Sequence, residues 1–141
     1  MKLNFVEYVN FATSFKCNDG TGSFTTSFPL PGSTRGEIFA GYADLNGDGH
    51  LDIVTARCYD PNMLYLNDGN GNYPTAVDIP NSATCLKMMR FADIDGDGDI
   101  DMVEITDGSN ETWVYVNNGN AEFVRQLLLS PVFSPWGLAV L

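Results

Sequence analysis

Histidine, cationic side chains and long apolar runs are scarce in this 141-residue sequence, and each scarcity removes a class of function. There is one histidine, His50, so no Ser-His-Asp or Cys-His set can be assembled with any specificity. Seven Lys and Arg stand against 18 Asp and Glu, a formal net charge of −11 that speaks against nucleic acid or anionic membranes as partners. No stretch approaches the roughly 18 apolar residues of a membrane-spanning helix, so membrane insertion is not expected. The opening residues, MKLNFVEYVNFATSF, make a poor signal peptide, because Asn and Glu interrupt the apolar run. No segment carries a convincing helical pattern. The length suits one domain with a real core.

What the chain has in excess is aspartate, and it is concentrated. Residues 93–101 read DIDGDGDID, and residues 44–52 read DLNGDGHLD, 49 residues earlier. Both fit D-x-[DN]-G-D-G-x-[LI]-D and together hold 8 of the 18 acidic residues. Like charges this close repel, so either a cation sits among them or the segment is a solvated acidic loop. The recurrence of the glycines and the aliphatic residue in register favours the cation. Calcium takes about 6–8 oxygens at roughly 2.3–2.6 Å, and side chains at loop positions 1, 3 and 5 can converge if the chain curls. Position 7 (His50, Asp99) is read as a backbone-carbonyl donor, which frees its side chain to vary. The glycine at position 6 (Gly49, Gly98) permits a turn with positive φ. Position 9 (Asp52, Asp101) returns a carboxylate, and the aliphatic residue at position 8 (Leu51, Ile100) anchors the loop in a core. Magnesium fits less well, since it demands a tight octahedron with several waters retained.

An EF-hand is the competing reading, because Asp93 to Glu104 satisfies D-x-D-x-D-G-x5-E. The first copy fails it, with Thr55 at position 12. The flanks decide. LDIVTARC and IDMVEIT after the loops alternate and are rich in β-branched residues, and EIFAGYA and KMMRFA before them are too short for EF-hand helices.

The repetition extends beyond the loops. NMLYLNDGNGNY (62–73) matches TWVYVNNGNAEF (112–123), and SFKCNDGTGSF (14–24) is an earlier relative. Asn-Asp-Gly and Asn-Asn-Gly between strand-like runs are hairpin signals. Each unit therefore reads strand, acidic loop, strand, linker, strand, hairpin turn, strand. Four strands in 49 residues matches a propeller blade, whose repeats run about 40–50 residues.

On these motifs the chain resembles the FG-GAP/VCBS family of calcium-binding repeats, as in integrin α-subunit β-propellers. FADIDGDGDIDMVEI…VYVNNGNAEF and GYADLNGDGHLDIVTA…LYLNDGNGNY carry the resemblance. It implies an all-β fold of four-stranded antiparallel blades and two Ca²⁺ per chain. The implied ligands are Asp44, Asn46, Asp48, His50 (carbonyl) and Asp52, then Asp93, Asp95, Asp97, Asp99 (carbonyl) and Asp101. It also implies an exported protein, extracellular or at the cell surface. Members include adhesins, lectins and accessory domains of enzymes, so the family alone fixes no single function.

The period divides the chain into about three blade-equivalents. Residues 35–82 and 83–130 are blades with one calcium loop each; residues 1–34 supply strands 2–4 of a split blade and residues 131–141 its strand 1. The expectation that follows is head-to-tail self-association, as a closed ring or a filament, to satisfy open sheet edges. A fragment of a longer propeller chain is the other reading.

The remaining candidates are weaker. Cys17 falls where the other units have Leu66 and Val116 and is read as a core residue. Cys58 and Cys85 fall on the side opposite the calcium loops, which leaves a disulfide between them open. The sequon Asn110-Glu111-Thr112 reads better as an ordinary polar loop than as a glycan acceptor. Trp113, Tyr115, Tyr65 and Trp136 could stack on sugars, although blade cores use such residues routinely. No catalytic set emerges. A calcium-stabilised adhesion or assembly module leads, and a carbohydrate-binding propeller or an accessory domain of a polysaccharide-active enzyme follows; glycans and surface proteins are the alternative partners.

Overall fold

The computed structural model describes residues 5–9, 12–33 and 36–129. They form eleven strands and no helix: β1 (Phe5–Val9), β2 (Ala12–Cys17), β3 (Thr26–Pro29), β4 (Glu37–Ala43), β5 (Asp52–Arg57), β6 (Asp60–Tyr65), β7 (Val77–Asp78), β8 (Leu86–Ala92), β9 (Asp101–Thr106), β10 (Thr112–Asn117) and β11 (Phe123–Leu129). They make one three-stranded sheet, β1-β2-β3, and two four-stranded sheets, β4-β5-β6-β7 and β8-β9-β10-β11, all antiparallel and all in chain order. The all-β fold of antiparallel four-stranded sheets, the arrangement of propeller blades, is thus as the repeat implies. Residues 131–141, read as strand 1 of the split blade, lie outside the described residues.

The alternation in the sequence explains how the sheets stack. Along β5, Val54 and Ala56 join Leu64 and Ile79 on one face of the middle sheet, where they meet Leu86, Met89, Met102 and Tyr115 of the last sheet. Ile53, Met63 and Tyr65 join a second cluster with Phe15 and Leu30 of the first sheet. The middle sheet is therefore buried on both faces, as its near-continuous apolar run DIVTAR…MLYL requires. Ile53 and Met102 are fully buried, each contributing roughly 1.5–3 kcal/mol by leaving water.

Polar contacts tie the same seam. Glu104 on β9 is fully buried. Its carboxylate accepts the Asn62 side-chain amide (3.2 Å) from β6, the Tyr115 hydroxyl (3.1 Å) and the Thr84 hydroxyl. Beside it, Cys58 and Cys85 form a disulfide, which fastens the β5–β6 turn to the entry of β8. The Tyr115 phenol is pushed well above its ordinary value by burial and by the neighbouring Glu104 carboxylate. Its hydroxyl therefore stays protonated and donates.

Three hairpin turns repeat one geometry. Asp19 N–H bonds to the Ser23 carbonyl (3.1 Å), Asp68 N–H to that of Asn72 (3.0 Å) and Asn118 N–H to that of Glu122 (3.2 Å). Gly22 and Gly71 hold φ of 91° and 84° at one turn position, where the third copy has Ala121 at φ 60°.

Candidate metal centre

Each acidic loop leaves the first strand of its sheet and returns into the second: 44–52 joins β4 to β5, and 93–101 joins β8 to β9. The turn is made by glycine. Gly49 and Gly98 hold φ of 85° and 98°, a left-handed backbone that side chains rarely adopt. The curl is held by carboxylates accepting backbone N–H groups of the same loop. Asp93 accepts from Gly96 (2.7 Å) and Gly98 (3.0 Å), Asp95 from Asp97 (3.2 Å) and Asp97 from Asp99 (2.9 Å). In the first loop, Asp44 accepts from Asp48 (3.1 Å) and Gly49 (2.8 Å), and Asp48 accepts from His50 (2.8 Å). A carboxylate has about four lone-pair sites, so such bonds leave capacity for an ion.

In the second loop, one oxygen each from Asp93, Asp95 and Asp101 lies within 4.8 Å of the others. Two oxygens on opposite sides of one calcium ion stand about 4.6–5.2 Å apart, so the spacing fits a single hard cation. Among the described residues this is the one group of three acidic, His or Cys side chains that converges so. The Asp95 carboxyl is raised from its ordinary value of 3.8 by desolvation, and further by the charges of Asp97, Asp101 and Asp93. A cation at the centre would offset those repulsions by attracting each carboxylate. The first loop has Asn46 at position 3, whose amide nitrogen donates to Asp48 (3.0 Å).

Position 9 does more than close the loop. Asp101 is buried, and accepts the backbone N–H of Ile94 (2.8 Å) at the loop entrance and of Asn117 (2.8 Å) at the end of β10. Asp52 repeats this with Leu45 (2.9 Å) and Asn67 (2.9 Å). Burial pushes the Asp52 carboxyl up, against the lowering effect of its bonds from Asn67 and Leu45, with Asp48 and Asp44 raising it further. Each aspartate joins its loop's entrance to the C-terminal end of the third strand of its sheet or the residues just after it.

The asparagines that sequence reading took only as turn markers complete the support. The Asn67 and Asn117 amides donate to the position-8 carbonyls, Leu51 (3.1 Å) and Ile100 (2.9 Å). Asn117 also reaches the Leu45 carbonyl (2.7 Å) in the first acidic loop. The signal that could have revealed this is the near-equal spacing, 16 residues after position 8 in the first copy and 17 in the second. The position-7 side chains lie across the hairpins: the His50 ring faces Gly69, and the Asp99 carboxylate faces Gly119.

Other candidates are committed elsewhere. Tyr65 and Tyr115 are fully buried, and the Arg125 guanidinium lies 3.7 Å over the Trp113 ring. Trp136 lies outside the described residues, as does the side chain of Cys17.

Comparison with known proteins agrees with this geometry. No curated protein matches the chain in sequence. The family model for the FG-GAP-like repeat matches twice, over residues 44–104 and 93–141, each match beginning at the first aspartate of an acidic loop. The chain belongs to the family of FG-GAP-like repeats.

Proposed function

We propose that this protein is a calcium-stabilised extracellular module that works through protein–protein contact or self-association. The observation that carries the reading is the convergence of Asp93, Asp95 and Asp101 donors within 4.8 Å, in a loop curled by Gly98. Asp97 and the Asp99 carbonyl would complete the second site; Asp44, Asn46, Asp48, the His50 carbonyl and Asp52 would form the first. FG-GAP-like repeats are associated with extracellular adhesion-type modules and are often calcium-binding, which supports the same reading. The Cys58–Cys85 disulfide fits an oxidising compartment.

The role given to calcium is structural. The loops lie between strands of the buried sheets, so an ion held there opposes opening of the inner hairpins. Ions that bind the folded loop better than the unfolded chain raise stability by mass action. Calcium titration by calorimetry tests this, with two sites expected. No heat of binding, or a melting temperature unchanged by EDTA, would remove the reading.

A further inference from the structure

The last strand of each sheet, β3, β7 or β11, is a sheet edge, and the three are protected unequally. β3 has four residues and ends in Pro29. β7 has two, one of them Asp78. β11 runs for seven residues, FVRQLLL, whose single charge, Arg125, is drawn onto the Trp113 ring. It pairs with β10 alone, so among the described residues its other edge has no strand partner. Three of its apolar side chains are exposed: Val124 (64 %), Leu127 (48 %) and Leu128 (53 %). Short strands, charge and proline are the ordinary protections of a sheet edge. β3 and β7 have them; β11 does not.

We propose that β11 is a docking edge for β11 of a second copy of this chain, paired antiparallel about a two-fold axis at Gln126. The partner is argued from the strand's own pattern. With Gln126 opposite its counterpart, Val124 of each copy lies opposite Leu128 of the other, and Arg125 opposite Leu127. Every exposed apolar side chain on the strand then gains a cross-strand neighbour, and backbone hydrogen bonds extend the last sheet from four strands to eight. Charge points the same way. In a chain of net charge −11, Phe123–Leu129 has no acidic residue, so two copies can meet along it without opposing carboxylates. Such an isologous contact closes on itself and gives a dimer. The proposal deepens the assembly reading above and does not depend on the metal.

Sedimentation velocity over a micromolar concentration series, run in calcium and in EDTA, tests it. The expected result is a reversible dimer, with the Val124→Lys/Leu128→Lys variant dimerising about tenfold or more weakly because like charges then face each other twice. Circular dichroism checks that this variant folds. Independently, Gln126→Cys in a Cys17→Ser background should cross-link into dimers under mild oxidation, and Tyr59→Cys in that background should not. A wild-type chain that stays monomeric, a folded lysine variant that dimerises as well as wild type, or equal cross-linking at Tyr59 would overturn it. Failure of the calcium reading appears separately, as a dimer whose calcium titration is flat.

Discussion

The Glu104 carboxylate, buried between two sheets, accepts the side-chain amide of Asn62 at 3.2 Å across the seam. It also gathers the Tyr115 and Thr84 hydroxyls, so three donors from different strands and a linker depend on one side chain. Glu104→Ala should therefore strand all three and destabilise the fold by about 2–4 kcal/mol, more than an exposed Glu→Ala would. Urea unfolding in saturating calcium measures it. A loss below about 0.5 kcal/mol would mean that the network contributes nothing.

The two calcium loops should be separable. Asp95→Ala removes one of the three converging carboxylates of the second loop, and calorimetry should then read one site where wild type reads two. Asp48→Ala should do the same for the first loop. The position-9 aspartates should behave differently, because Asp52 and Asp101 also hold backbone N–H groups of their sheets. Asp101→Asn should lower the melting temperature even in EDTA, whereas Asp95→Ala should not.

These asymmetries mark where the sequence was readable. The positions of β5, β6, β9 and β10 follow from alternation and the hairpin signals, and Gly49 and Gly98 announce a left-handed turn. Repetition at 49 residues conveyed the stacking of like units. Contacts that exist only once the units stack were not legible: Glu104 matches the twelfth position of an EF-hand that its flanks rule out, and its partner, Asn62, is 42 residues away. Nor could spacing show Asp52 and Asp101 bonding backward to a strand, because a carboxylate reads the same whether it meets an ion or an amide.

Acid should loosen the second hairpin through Asp68. This exposed carboxyl is held below its ordinary value of 3.8 by the Asn72 side chain first, then by the backbone N–H groups of Asn70 and Asn72. A depressed folded value means that the charged form is the one bound. Its contribution is full above the unfolded value and is lost as pH falls through the lower folded one. Hydrogen exchange at the Asn70 and Asn72 amides should accelerate over that acidic window beyond the intrinsic rate, and Asp68→Asn should remove the extra dependence. Identical profiles in the two proteins would contradict the assignment.

Reducing the disulfide should weaken the fold without dissolving it. Cys58 and Cys85 are 27 residues apart, and closing a loop of that length in the unfolded chain corresponds to about 3.5 kcal/mol in the chain-entropy account. Cys58→Ser/Cys85→Ser should show a loss of that order in denaturant, with calcium stoichiometry unchanged, since the bridge sits at the end of the sheets away from the loops. Loss of a calcium site in the double variant would show that the two ends are coupled.

The middle and last sheets approach closely at Gly41. Gly41 on β4 has an ordinary extended backbone, so its lack of a side chain is not demanded by φ. A Cβ there would run into the Phe91 ring of β8, with Phe39 close on the other side. The Phe91 ring occupies the volume that an alanine methyl would need, so it must shift to admit one. Gly41→Ala should cost about 1–3 kcal/mol, as overpacking does, although alanine suits a strand better than glycine. Phe91→Leu shortens the ring and leaves a gap with its own cost. Combined, the two changes should restore each other in part, giving a coupling of about 0.5–3 kcal/mol in a double-mutant cycle. Strict additivity would show that the strands part elsewhere to admit the methyl, and that β4 and β8 are not held at the separation described.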